Sequence, residues 1–341
     1  MEKIYKIILF VFLAVFSSAC VQFDDSFTET VFEDDPALDP TSETYTFDRY
    51  LQENYLKTYN LDFLYKMQDV GSDIDYNLIP TNLEKSKQLA ILAKYLWFDA
   101  YKEVAGPEFL KEYGPRIIHL IGSGAYNPNL GTVILGSAEG GIKVTLYECN
   151  RIDPTQVDVL NEYYFKTMHH EFAHILHQQK TYPKEFETYS AGHYDPGYWQ
   201  ERDNVVAASL GFASPYGSSQ PREDFVEIIA NYIVKSDAWW KDWLDKASKE
   251  WRIKLNANGD PVTAPDEYGN AQYVYEVTTT ESDGIAGKAV IETKIEICRK
   301  WLKESWNIDL DKMRANVQER QLHIPEALEK GFAEIDSYKQ N

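Results

Sequence analysis

Five consecutive residues, His170-Glu171-Phe172-Ala173-His174, restrict this chain more than any other feature. Two imidazoles four positions apart can share one ion only on a regular helix, where about 3.6 residues per turn stacks them on one face. Glu171 then stands about 100° around the helix, close enough to reach a water on the ion but not to ligate the ion itself. The segment must therefore be an uninterrupted helix with one face on a polar cleft. The bland alternative makes both histidines satisfied core side chains. It leaves a carboxylate without purpose among Met168, Phe172, Ala173, Ile175 and Leu176.

A catalytic metal needs a third protein ligand and one open position. Downstream, Glu223-Asp224-Phe225-Val226-Glu227 opens an apolar run, Ile228-Ile229-Ala230, that predicts a helix from about 223 to 235. Glu223 and Glu227 lie one turn apart on the same face, which suits one carboxylate on the metal and the other hydrogen-bonded to a ligating histidine. The residues alone leave open which does which. His177 is three positions beyond His174, a rise of about 4.5 Å, too far for three histidines on one helix to meet one ion. His169 points to another face, and His193 falls in a loop as a surface or substrate-touching residue. Tyr216, seven residues before Glu223, is a candidate donor to a developing oxyanion, with Tyr163, Tyr194 and Tyr198 as rivals.

The 341 residues are 44% hydrophobic and 26% charged, enough for one large domain of two lobes with an ample core. A net charge of −20 lacks the basic face that nucleic acid or an anionic membrane surface requires. Aromatic residues reach 14%; most are expected in the core, although such rings also suit sugar or peptide stacking. Helical spacing begins at Phe47, and Thr81 with Glu84 predicts a capping box for a helix bearing Leu89, Leu92, Leu96 and Trp97. Strands are expected at 116–121, 132–135, 142–147 and 273–278, with glycines between the first three. A long helix should run from Asp153-Pro154 to about Gln179. A Tyr/Gly/Pro/Ser-rich stretch, 181–221, should be a functional loop. A Trp-rich helix (Trp239, Trp240, Trp243, Trp251), a polar insertion at 256–270 and helices near 288–304 and 325–336 complete the chain. Cys149 and Cys298 could be bridged or remain buried thiols.

The start of the chain reads as a targeting segment. Lys3 and Lys6 precede the apolar run 7–16, then Ser17-Ser18-Ala19 leads into Cys20. This resembles the lipobox at which bacterial signal peptidase cuts and the cysteine is acylated, with Ser17 standing where Leu, Val or Ile is usual. Residues 1–19 are thus expected to be a signal peptide and Cys20 the lipidated mature terminus. Residues 20–46, rich in Asp and Glu and without a basic residue, form an acidic tether. The acidic pair after the cysteine resembles a surface-export signal.

An HExxH motif followed by a glutamate on a second helix is the gluzincin arrangement. Tyr216-Gly217 with Glu223-Asp224-Phe225-Val226-Glu227 resembles the catalytic domain of anthrax lethal factor, over about residues 166–235. That resemblance implies Tyr216 at the oxyanion, Glu223 on zinc and Glu227 behind a ligand. With its lipoprotein start, the whole chain resembles the substrate import-associated zinc metallohydrolase lipoproteins. The fold so implied is a zincin-like α+β domain over 47–341, mostly helical with a small mixed sheet, its upper lobe at about 47–180 and its lower lobe at about 181–341. The activity implied is hydrolysis of peptide or glycopeptide amide bonds with one catalytic Zn2+, held by His170, His174 and Glu223, and with Glu171 as base. The setting implied is the outer surface of a Gram-negative bacterium, beside a TonB-linked import complex, with a lipid anchor as the sole membrane contact. The rival is a surface peptide- or glycan-binding lipoprotein whose zinc is structural or vestigial. Glu171 separates them, since a structural metal needs no unligated carboxylate beside it.

Overall fold

The computed structural model describes residues 38–67, 78–127, 132–134, 136–139, 142–265, 271–279 and 286–339. The predicted signal peptide, Cys20 and most of the acidic tether lie outside them. Residues 43–341 make one compact unit. Its first helix, α1, runs Tyr45–Leu51 and continues through a π turn, Gln52–Leu56, to Lys57–Tyr59, so the last tether residues belong to it. Phe47, Tyr50, Tyr55 and Tyr59 turn one side of α1 inward. Helix α2 spans Leu83–Ala93, a π turn at Lys94–Phe98 and Asp99–Ala105. Its cap is Asn82 and not Thr81: the Asn82 side chain accepts from the Glu84 and Lys85 amides. Asparagine caps at least as well as threonine, and Thr81 is buried instead. The short α3, Phe109–Tyr113, leads into the sheet.

The strands are β1 (Asp62–Leu64), β2 (Ile117–Leu120), β3 (Ala125–Asn127), β4 (Thr132–Ile134), β5 (Gly136–Glu139) and β6 (Lys143–Leu146). Four form a mixed sheet in the order β1-β2-β6-β5, the first three parallel and β5 antiparallel to β6. Registers such as Phe63 with Ile118, and Ile118 with Val144, set apolar residues side by side. β3 and β4 pair as a separate hairpin. The expected strands are present in shortened form. Of these six, β1, β3 and β5 are additional: β1 and β3 are only three residues each, and β5 (Gly-Ser-Ala-Glu) has no β-branched signature to announce it.

Helix α4 begins at Val157–Leu160, passes a π turn at Asn161–Phe165 and continues as Lys166–Gln179. It packs against β5, β6 and α5 (Pro221–Val234). Then follow α6 (Asp237–Ala247), β7 (Glu250–Ile253), β8 (Thr263–Pro265), β9 (Ala271–Tyr273), β10 (Tyr275–Thr279), α7 (Gly287–Trp306), α8 (Leu310–Gln321) and α9 (Ile324–Ser337). β7 pairs with β10 and β8 with β9, both antiparallel. Trp251 belongs to β7 rather than to the tryptophan helix, since the helix stops at Ala247. α8 was not anticipated, although Asp309 caps it and Leu310, Met313 and Val317 are its buried stripe. The long 181–221 stretch contains short helices at Glu185–Thr188 and Asn204–Ser209. Cys149 and Cys298 are buried free thiols. No described helix is long and apolar enough to cross a membrane.

The architecture is α+β, mostly helical with small sheets, as the element pattern predicts. Many of the abundant rings are core. Phe172, on the side of α4 away from the histidines, meets Trp97 and Tyr101 edge-on at 5.1 and 5.0 Å. Phe225 of α5 stacks on Tyr182 at 4.3 Å and meets Trp301 of α7 at 5.1 Å. These clusters fix both helices from behind. Phe172→Ala is expected to lower unfolding stability by about 3–5 kcal/mol, the usual cost of emptying an aromatic site in a packed core. Urea unfolding followed by circular dichroism measures it, and a loss under 1 kcal/mol would contradict the packing described.

Candidate metal centre

The face of α4 opposite Phe172 carries Lys166, His170 and His174 at four-residue intervals. α5 crosses it. Pro221 occupies the first turn of α5, where a missing N–H costs nothing, and Glu223 and Asp224 sit in that turn, where the helix dipole favours negative charge. One Glu223 oxygen, Oε2, lies 3.2 Å from His170 Nε2 and 3.0 Å from His174 Nε2. One ligand atom from each residue falls within 4.8 Å of the other two. Two imidazole nitrogens and one carboxylate aimed at a single point are the donor set of a catalytic zinc. The residues present fit the ion.

Each donor is held from behind. His170 Nδ1 faces Glu227 Oε1 at 2.8 Å. The second Glu227 oxygen accepts from Ser214 Oγ and from Asn231 Nδ2, the latter at 3.1 Å. Ser214 Oγ in turn accepts the Gly217 amide at 3.1 Å, so the turn before α5 is tied to the same carboxylate. Glu223 thus stands with the two imidazoles in a group that could hold the ion, and Glu227 lies behind His170. Burial alone would lower the His170 pKa. Glu223 and Glu227 reverse this and push it up to about 10, so without a metal a proton occupies the position between the carboxylates.

His177 has a role that spacing did not reveal. Its Nε2 is 2.9 Å from His174 Nδ1. Burial and the neighbouring His174 push its pKa down to about 4, so it is neutral at pH 7. Neutral His177 is thus within hydrogen-bond distance of His174 Nδ1 and holds that ring from behind. It contributes no atom to the converging group of His170, His174 and Glu223.

A second unforeseen group is Lys294 of α7. Its ammonium is wholly buried and donates to Asp224 Oδ2 at 2.5 Å, Ser190 Oγ at 2.7 Å and the Gly211 carbonyl at 2.8 Å. All three of its donors are used. Burial lowers the Lys294 pKa, while Asp224 opposes that shift. The lysine links the residue next to ligand Glu223 to α7 and to the loop before α5.

Glu171 is half-buried beside the three donors, and no described residue hydrogen-bonds its carboxylate. Burial raises its pKa; His170 and His174 work against this, and Glu223 and Glu227 with it. Tyr216 starts a 3-10 turn just before α5, with its ring 5.8 Å from that of His170. Its rivals lie elsewhere. Tyr194 donates to Asp224 at 2.9 Å, Tyr198 is 65% exposed, and Tyr163 stacks under Arg151. His169 is buried against Tyr101, and His193 is half-exposed in the loop. His170, Glu171 and Tyr216 face a cleft of about 880 Å3.

Residues 40–311 match the model of a family described as "Putative zinc-binding metallo-peptidase". A solved structure from Bacteroides caccae, described in the same words, is 39% identical, covers 87% of this chain and 97% of its own, and superposes with a TM-score of 0.65. The chain belongs to this family. No curated protein matches its sequence. His177→Ala is expected to weaken zinc binding by about 10–100-fold, the usual loss when a ligand's hydrogen-bond partner is removed. His177→Asn, which keeps an acceptor, should recover part of it. Competition with a chelator of known affinity reads both, and unchanged retention in the alanine variant would remove the role.

Proposed function

We propose that the protein is a zinc-dependent peptidase that hydrolyses peptide or glycopeptide amide bonds. The observation that carries this is the free carboxylate of Glu171 next to three converging donors at the head of an open cleft. When bound, zinc supplies Lewis acidity, making a water acidic near neutral pH and polarising a carbonyl. Glu171 accepts a proton from the attacking water and later delivers it to the leaving amine. Its raised pKa suits both steps, because the carboxylate is basic enough to take the proton and can still release it. Tyr216 donates its hydroxyl to the oxyanion; burial and the nearby acids raise its pKa, which keeps it protonated. The binding-lipoprotein alternative gives Glu171 nothing to do.

The cellular setting follows from the chain's start. Cys20 is read as the acylated terminus of a surface lipoprotein of a Gram-negative outer membrane, working beside a TonB-linked importer that takes up the products. Mass spectrometry of membrane-extracted protein should find a diacylated or triacylated Cys20 and no residue before it; an intact Met1 would remove the anchor.

Glu171→Gln is expected to lower hydrolysis by about 10²–10⁴-fold with zinc content and folding nearly unchanged, since only the proton acceptor is lost. Glu223→Ala should release zinc as well as activity, because two histidines hold the ion poorly. Peptide and glycopeptide libraries read by mass spectrometry, with metal analysis of each variant, distinguish the two effects. A Glu171→Gln enzyme as fast as the wild type would end this mechanism.

A further inference from the structure

The cleft is much larger than one side chain needs. Its roughly 880 Å3 is in the upper part of the range of pockets that enclose whole small molecules. Its walls combine two chemistries. Trp239 and Trp243 of α6 lie stacked, with centroids 4.8 Å apart and planes within 10°, and Tyr275 of β10 and Trp199 line it too. Beside these rings, the Glu162 carboxylate is bridged by Lys166 and Lys235, each Nζ at 2.7 Å from a different oxygen. Lys235 also sits over the Trp239 ring, 5.5 Å from its centroid.

These polar groups decide what the rings are for. An apolar side chain pressed into the cleft would strip water from two ammoniums and a carboxylate and return no hydrogen bond, leaving each group short of a partner. Each ammonium gives one of its three donors to Glu162 and keeps the others. A pyranose ring meets both demands. Its C–H face lies on indole or phenol, and its hydroxyls accept from ammonium and donate to carboxylate, replacing the displaced water.

Resting on the peptidase reading above, we propose that this cleft is a sugar subsite and that the preferred substrate is a peptide carrying a glycan next to the cleaved bond. Tyr275 is its stacking surface, and the Lys166–Glu162–Lys235 group, with Lys235 held over the Trp239 ring, is its hydroxyl-binding end. Tyr275 stands on β10, not on the helices that carry the metal donors.

The test uses zinc-loaded Glu171→Gln protein as a non-cleaving trap. The probes are O-glycopeptides from a mucin digest and the same peptides after enzymatic deglycosylation. Calorimetric titration should show the glycosylated set binding at least ten-fold more tightly. Adding Tyr275→Ala or, where that variant folds poorly, Tyr275→Leu should remove most of the difference with zinc content unchanged. Equal affinity for both sets, or a preference that survives the substitution, overturns the sugar subsite. The peptidase reading fails separately, when the zinc-loaded wild type binds glycopeptides preferentially and cleaves neither set.

Discussion

The contact between His170 Nδ1 and Glu227 Oε1 sets the geometry of the whole centre. Two helices, each with functional residues four apart, meet there face to face. Once Glu227 is seated behind His170, Glu223 one turn earlier on α5 necessarily falls over the Nε2 atoms of His170 and His174. The contacts between α4 and α5 thus hold His170, His174 and Glu223 in one register. The aromatic clusters around Phe172 and Phe225 keep the helices from rotating out of that register.

The centre is crowded with acids in a chain already carrying −20. Glu223, Asp224 and Glu227 are all buried within one helix turn and a half. Buried carboxylates are tolerated only where cations or donors answer each of them. Asp224 has Lys294, Glu227 has His170 with Ser214 and Asn231, and Glu223 has the two imidazoles that a metal would complete. Burial is the largest influence on Glu227, and Lys166 together with its hydrogen bonds still holds its pKa well below the ordinary value. Among these acids Glu171 has no hydrogen-bonding partner from the described residues. Its carboxylate is the one left to face the cleft.

What the sequence disclosed follows from which forces act locally. HExxH and the Glu223/Glu227 pair were legible because helical periodicity converts spacing into geometry without knowledge of the rest of the fold. The metal-binding family was readable through the resemblance that this motif carries, and the α+β class through that resemblance and the order of the elements. The choice of Glu223 over Glu227 needed a resemblance or a structure, since both carboxylates lie on one face. His177 was not expected as a ligand, and its bond to His174 depends on two side-chain rotamers that spacing does not specify. Lys294 was invisible: a lysine within an amphipathic helix reads as surface, and its partner is 70 residues away. Trp251 was drawn into the preceding helix because tryptophan spacing continued after the helix itself had ended. The Thr81 cap was off by one residue because Asn82 competes for the same amides.

The buried Lys294 also orders events in time. As a chain emerges from its N-terminus, both histidines and both glutamates are made well before α7. Until that helix docks, Asp224 lacks its cation and keeps only the Tyr194 hydroxyl as a donor, so seating the first turn of α5 in the core costs more. α5 is therefore expected to settle fully against α4 only once α7 has docked. A fragment ending before α7 would contain His170, His174 and Glu223 without the cation that seats the helix bearing Glu223.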